Sequence, residues 1–270
     1  MSGELRFRTD LYKGTAEYYD RFRPPYPAVL LDHLRARVPL DGGSRVLDLA
    51  CGTGQIAFAL AADVEEVWAV DQEAEFLAFA DSKARRFGVT NINWIEARAE
   101  DVELERRFDL VAIGNAFHRL DRDVVANRVV RHLTEGGCIA LLWSDTPMRG
   151  DQPWQVVMRA TVERWMDDVG ARSRVPAGWE QAMDRDPHMA VLRRAGLTYE
   201  GKFEFSVVEG WSVESLIGWV YSTSFLNRGA LGDRADAFES DLRDKLLDCC
   251  PDGVFEEGVT FAYELARHTA

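Results

Sequence analysis

Between about residues 45 and 144, short apolar runs alternate with longer stretches in which apolar residues recur at helical spacing. Arg45-Val46-Leu47-Asp48-Leu49-Ala50 reads as a buried strand running into glycine-rich sequence, and residues 55–62 predict a helix opening directly from that turn. Residues 67–70 give a second strand closed by Asp71, and residues 73–87 a helix stopped by Gly88. Residues 92–95 and 110–113 give two more strands. Asp121 is placed to cap a helix running to Thr134, with Gly136-Gly137 as its end, and residues 138–143 form a fifth strand. Strands and helices alternating at these lengths predict an α/β fold, a parallel sheet with helices on both faces. In such sheets the ligand lies at the carboxyl ends of the strands, near the switch in strand order.

The flanks read differently. Upstream, an aromatic and basic stretch, Tyr18-Tyr19-Asp20-Arg21-Phe22-Arg23, precedes Pro24-Pro25-Tyr26-Pro27, which introduces a helix through about Val38. Downstream the alternation breaks. Residues 153–168 predict a helix, residues 172–178 a looser stretch and residues 187–195 a short helix. A strand follows over 203–208, then helices over 213–225 and 233–247, and a last strand over 259–265. These helices exceed what covers a sheet, so they are assigned to a cap. The expected organisation is a helical lid segment at 1–44, a ligand-binding core at 45–145, a helical substrate cap at 146–186 and 210–256, and the rest of the core sheet at 187–209 and 257–270.

Composition narrows the function classes. Hydrophobic residues at 47% and charged residues at 29% are ordinary for a soluble globular chain. No apolar run approaches the roughly 18 residues that span a bilayer. The start, Met1-Ser2-Gly3-Glu4-Leu5-Arg6-Phe7-Arg8, lacks the apolar stretch of a secretory signal, so a cytoplasmic location is expected. Cys51, Cys138, Cys249 and Cys250 have no metal-ligand spacing to a histidine; buried small hydrophobes and no metal are expected. The formal net charge of −13 opposes nucleic acid, whose binders must neutralise phosphates, and favours cationic ligands or simple solubility.

The segment Val46-Leu47-Asp48-Leu49-Ala50-Cys51-Gly52-Thr53-Gly54 carries the chemistry. Its glycines let the backbone turn sharply beside a ligand, with the amino end of the next helix facing it. Gly52-Thr53-Gly54-Gln55-Ile56-Ala57 also satisfies the looser dinucleotide pattern. An aspartate at 48 sits poorly against a diphosphate and suits a ligand carrying an ammonium and a sulfonium. Asp71, at the end of the second strand, can accept hydrogen bonds from both hydroxyls of a ribose in either case.

Residues 46–54 resemble the signature loop of class I S-adenosylmethionine-dependent methyltransferases. The resemblance extends through Asp71, Arg98-Ala99-Glu100-Asp101 and the Phe108-Asp109-Leu110 to His118 block, and covers roughly residues 14–145. Ala50 stands where many members have the loop's first glycine. The resemblance implies a doubly wound, seven-stranded, mostly parallel sheet with the last strand antiparallel, and S-adenosylmethionine as cofactor. It implies that Asp48 and the backbone of Ala50, Gly52, Thr53 and Gly54 surround the methionine portion, and that Asp71 holds the ribose. Gln72 would flank the adenine, Ala99 and Glu100 would meet its edge, and Asn115 would lie near the sulfonium. Arg23 and Tyr18 or Tyr19 would close over the methionine carboxylate and the methyl.

Asn115-Ala116-Phe117-His118 follows the fourth strand, where the acceptor should meet the methyl. Enzymes that methylate nucleobase amino groups commonly show an Asn/Asp-Pro-Pro-aromatic run here; this chain has no such prolines. His118 is the catalytic candidate, as a general base or as a residue that shapes the pocket. Among the other histidines only His188 is a candidate to face it. In the cap, Trp154, Trp165, Trp179, Trp211 and Trp219 are interspersed with Asp151, Asp167, Asp168, Asp184 and Asp186, a mixture that suits an amine-bearing cation. The expected function is methylation of a small molecule of the secondary-metabolite kind, with N-methylation of an aminosugar-like amine ahead of O-methylation of a hydroxyl or carboxylate. A binding module without catalysis and a nicotinamide oxidoreductase are the alternatives of other classes. No nucleic-acid or membrane partner is expected.

Overall fold

A computed structural model describes residues 10–269; residues 1–8, read above for a leader, lie outside that range. Two helices lead in, α1 (Ala16–Phe22) and α2 (Ala28–Arg37), the second entered through Pro27. The core follows as β1 (Arg45–Leu49), α3 (Gln55–Leu60), β2 (Glu66–Asp71), α4 (Ala74–Phe87), β3 (Ile92–Glu96), β4 (Phe108–Gly114), α5 (Arg122–His132) and β5 (Leu133–Ser144). Then come α6 (Pro153–Asp168), α7 (Trp179–Arg185), α8 (His188–Arg194), β6 (Thr198–Ser212), α9 (Val213–Tyr221), α10 (Arg228–Leu231), α11 (Ala235–Cys249) and β7 (Val254–Arg267).

The seven strands make one sheet in the order β3-β2-β1-β4-β5-β7-β6, with β7 antiparallel to both neighbours and the remaining pairings parallel. From β1 the chain winds outward to β2 and β3, then returns to β4 and winds the other way, so the switch in strand order falls between β1 and β4. Alternation along β1 shows why its loop is well anchored. Val46 faces the layer of α2 and α3 with Leu30, Leu34, Ile56 and Leu60; Leu47 and Leu49 face the layer of α5 and α8 with Val125, Val129, Val191 and Leu192. Asp48 shares the Val46 face, so its carboxyl points into packed protein under α3.

The cap has a core of its own. Trp154, Met158, Val162 and Trp165 of α6 pack with Leu216 and Val220 of α9 and Phe238 and Leu242 of α11. The helix α9 opens with a capping box in which Ser212 and Ser215 satisfy each other's backbone N–H. Among the described residues no helix is long and apolar enough to cross a membrane.

Three expectations change. The helix begun at Asp121 ends at His132 instead of Thr134. Leu133 already pairs with Phe108, and 134–137 loop out before Cys138 pairs with Leu110, so the two glycines serve a bulge in β5. The last two strands are longer than their apolar runs. Beyond Ser144–Phe261, the last β5 pair, β6 and β7 continue as a ribbon to Ser212–Val254, stabilised where Trp211 and Phe255 enter the cap core. Within the helical lid segment the aromatic and basic stretch forms α1, and α7 begins just past the looser 172–178 stretch. Cys51 and Cys138 are buried, but Cys249 and Cys250, at the end of α11, are half-buried.

Candidate functional site

The turn after β1 holds two residues in the left-handed region that matter to its shape. Ala50 has φ 58° and Gly54 φ 81°, and a Cβ at Gly54 would stand 2.7 Å from Trp94 Cη2. At position 50 an L-residue is tolerated at a cost of about 1 kcal/mol, which is why glycine is common in such loops. Gly54 opens α3, and the backbone N–H of Ala57 in its first turn donates to Asp48 Oδ2 at 2.9 Å. Asp48 Oδ1 is buried with no partner. Burial, partly offset by the Ala57 hydrogen bond and reinforced by Asp71, pushes the Asp48 carboxyl up to about 7. Asp48 thus keeps one buried oxygen without a partner at the base of the loop.

Asp71 ties that loop to the second strand. Its Oδ2 accepts from Gly52 N at 2.8 Å and its Oδ1 from Glu73 N at 2.9 Å; burial raises its pKa and these backbone donors lower it. A carboxylate oxygen can accept more than one hydrogen bond, and Asp71 lines the cleft described next. On the far side of the switch, Asn115 directly follows β4 with φ 50°. Its side chain spans two elements: Nδ2 donates to Tyr26 Oη at 3.3 Å and Oδ1 accepts from Ser144 N at 3.3 Å.

Two cavities meet here. The larger, a cleft of about 920 Å³, follows the carboxyl ends of β1, β2 and β4 and is lined by Tyr19, Ala50, Gly52, Asp71, Gln72, Ala99, Glu100 and Asn115 of the sequence-derived set. It is also lined by Tyr12, Phe76 and Arg119, which sequence reading missed. The Phe76 ring lies 6.0 Å from Tyr12 and 5.5 Å from Tyr19, and the Arg119 guanidinium stands 5.3 Å from the Tyr12 ring. Nothing local in the sequence marks these residues, because the contact joins the lead-in segment to α4 and to the turn after β4. The smaller cavity, about 340 Å³, lies under the cap and is lined by Arg23, Gln55, Trp211, Trp219, Asp145 and Glu257 among others. Tyr19 and Asn115 line both.

The lead-in helix α1 closes over this junction. Lys83 Nζ reaches Asp20 at 2.6 Å, Arg21 reaches Glu214 at 2.7 Å, and Gly14 N donates to Glu75 Oε2 at 2.8 Å, so α1 is held between α4 and α9. A Cβ at Gly218 of α9 would overlap the Phe22 ring, so only glycine admits α1 this close. Arg23 donates Nε–H to Ser222 Oγ at 2.8 Å and stands 5.2 Å from the Tyr19 ring and 4.9 Å from the Trp219 ring. Burial raises the Tyr19 hydroxyl pKa and Arg23 opposes that rise, so Tyr19 is neutral at the junction.

The remaining sequence-derived residues fall elsewhere. Asp48, Thr53 and Gly54 are beneath the loop and line neither cavity, and Arg23 lines only the smaller one. His118 also lines neither. Its Nε2 accepts from Arg119 Nε at 3.2 Å and its ring lies 5.4 Å from Trp179. Burial and the neighbouring cations Arg119, Arg149 and Arg122, with His188, hold its pKa down at about 3, so it is neutral. His188 packs on Phe117 at 5.2 Å and lines neither cavity. The cap acids singled out above sit apart as well: Asp167 pairs with Arg172, Asp168 with Arg164 and Asp186 with Arg194, while Asp151 and Asp184 are exposed. The acids at the smaller cavity are Asp145 and Glu257, in segments the sequence marked only as strand ends.

Comparison with known proteins agrees with this architecture. A family model described as "Methyltransferase domain" matches residues 46–137. An uncharacterised methyltransferase of Mycobacterium tuberculosis (strain H37Rv) is 32% identical over 151 residues, 55% of this chain and 71% of the relative. The trans-aconitate 2-methyltransferase of Azoarcus sp. (strain BH72) is 30% identical over 174 residues, 62% of this chain and 65% of the relative. Among solved structures, the YcgJ protein of Bacillus subtilis superposes with a TM-score of 0.54 over 90% of this chain and 100% of its own, at 17% identity, a likeness of fold.

Proposed function

The chain belongs to the class I S-adenosylmethionine-dependent methyltransferases, and on that premise we propose that it methylates a small molecule seated in the smaller cavity, with a cationic amine as the acceptor class. Tyr19 and Asn115 carry this reading, because a donor in the cleft and an acceptor under the cap would meet at the wall these two residues share. The residues present fit the cofactor: the unpartnered Asp48 Oδ1 suits its ammonium, and the remaining acceptor capacity of the Asp71 carboxylate suits its ribose hydroxyls. Ala50, Gly52, Thr53 and Gly54 then surround the methionine portion, Gln72 flanks the adenine, and Ala99 with Glu100 meets its edge. Tyr19, on the wall shared with the smaller cavity, closes over the methionine end, whereas Arg23 stands on the side of the smaller cavity. When bound, S-adenosylmethionine would supply an electrophilic methyl on a sulfonium; an amine that is cationic in solution accepts it only as its free base, its proton having gone to solvent before transfer.

The chain's own contribution is to align the acceptor and exclude water, and positioning of this kind supplies on the order of 7–11 kcal/mol in favourable cases. The net charge of −13, with Asp145 and Glu257 at the cavity, supports a cation and opposes nucleic acid. A second reading, O-methylation of a carboxylate, is favoured by the Arg23 guanidinium on the cavity wall and by the Azoarcus relative, which acts on trans-aconitate. S-adenosylhomocysteine release over polyamines, aminoglycosides, phenols, sugars and short carboxylic acids tests the choice. Turnover confined to cationic amines is expected. Turnover confined to carboxylic acids, with methyl esters as products, would replace the first reading by the second.

A further inference from the structure

We infer that Glu257 selects the acceptor by charge, seating the cationic group of an amine in the smaller cavity; this rests on the amine reading above and adds the residue that enforces it.

Glu257 lies on the β6–β7 ribbon just where it leaves the sheet, with 6% of its surface exposed. Its carboxylate is rigidly held. Trp211 Nε1 donates to Oε1 at 2.9 Å and Gln155 Nε2 to Oε2 at 2.5 Å. Gln155 is itself buried, and its Oε1 accepts from Gln152 N at 3.2 Å. These donors are neutral, so they restore hydrogen bonds lost with water but no opposing charge. Among the described residues no ion pair joins Glu257 to a cation. Its charged neighbours are acids: Glu209 is its direct cross-strand partner, and Asp145 lies at the same cavity. Like charges directly opposite on adjacent strands are destabilising, and a buried carboxylate without a counter-charge is costly.

Arg23, the cation of this cavity, does not supply the counter-charge; it is turned to Ser222 and lies between the rings of Tyr19 and Trp219. A cationic ligand removes both penalties, and the aromatic faces of Trp211 and Trp219 on the same walls favour it further.

The test uses three probes of one skeleton that differ in charge: phenethylamine, 2-phenylethanol and 3-phenylpropionate. Each is titrated into the complete protein saturated with S-adenosylhomocysteine, with tryptophan fluorescence as the readout because Trp211 and Trp219 line the cavity. Phenethylamine should bind about tenfold or more tighter than the other two, as a charge-assisted hydrogen bond in a buried site requires. Glu257→Gln should erase that preference while S-adenosylhomocysteine affinity stays within about twofold, since the substitution leaves the cleft intact. A wild-type preference for 3-phenylpropionate, or an amine preference surviving in Glu257→Gln, overturns the inference. Should the variant not fold, the wild-type ranking decides alone, and an amine bound no better than the alcohol overturns it. The two proposals fail separately. Amine turnover with binding indifferent to Glu257 removes this role and keeps amine methylation. Glu257-dependent amine binding, with no amine in the panel methylated, keeps the subsite and removes amine methylation.

Discussion

Asp48→Asn should make the protein more stable at alkaline pH and weaken its hold on the cofactor. Asp48 is 1% exposed, and burial lifts its carboxyl from 3.8 to about 7. That displacement corresponds to about 4 kcal/mol between its two protonation states. The folded-state value lies above the unfolded one, so the neutral carboxyl's contribution to stability is whole below pH 3.8. It shrinks as pH rises and is gone once pH passes about 7. Asparagine keeps an oxygen to accept the Ala57 N–H and has no charge to bury. Comparing the two proteins cancels the other titrating groups apart from Asp71, whose repulsion contributes to the Asp48 value. Urea unfolding of both without cofactor should therefore show the variant gaining about 3 kcal/mol on the wild type between pH 5 and pH 8.5, most of it below pH 7. Calorimetry with S-adenosylhomocysteine should show the opposite ranking, the variant binding about tenfold or more weakly for want of a charge-assisted hydrogen bond. In the wild type, binding at pH 6 should release protons, seen as an enthalpy that depends on the buffer. Stability profiles that stay parallel across this range, with binding unchanged, would refute both the buried neutral carboxyl and its role toward an ammonium.

Three further outcomes test the site's frame. Ala50→Gly relieves a left-handed alanine worth about 1 kcal/mol and adds unfolded-state freedom of about 0.5–1 kcal/mol, so denaturant midpoints should stay level or rise slightly; a clear fall would mean that the alanine methyl packs productively. Gly218→Ala drives a methyl into the Phe22 ring and should cost about 1–3 kcal/mol, weaken S-adenosylhomocysteine binding as α1 lifts, and be partly rescued by Phe22→Leu; melting temperatures of the single and double variants check this. His118→Asn should keep turnover within about threefold, since the ring lines neither cavity, whereas loss of a general base removes about 10²–10⁴-fold; steady-state rates with the acceptor found by the panel decide between them.

The sequence by itself determined the alternating core. Central strands buried on both faces must be nearly continuous in apolar residues, and each glycine or aspartate at their ends marks a turn, so β1 to β5 and the loop at Asp48 to Gly54 were legible from local pattern. The acidic end of β2 at Asp71 and the strand end at Asn115 were legible for the same reason, because the topology of a doubly wound sheet brings those ends together. Tertiary structure decided what depends on contacts far apart in the chain. The ribbon of β6 and β7 outruns its apolar runs because Trp211 and Phe255 are buried by cap helices. The lead-in α1 is ordered by Lys83, Glu75 and Glu214, from two other elements. The choice among carboxylates was also tertiary. Asp167, Asp168 and Asp186 are neutralised by arginines at the surface, whereas Glu257, one of two adjacent glutamates in the sequence, is turned inward by strand alternation and fixed by Trp211 and Gln155. A carboxylate's role follows from its burial and its partners, and those are set only when distant segments pack.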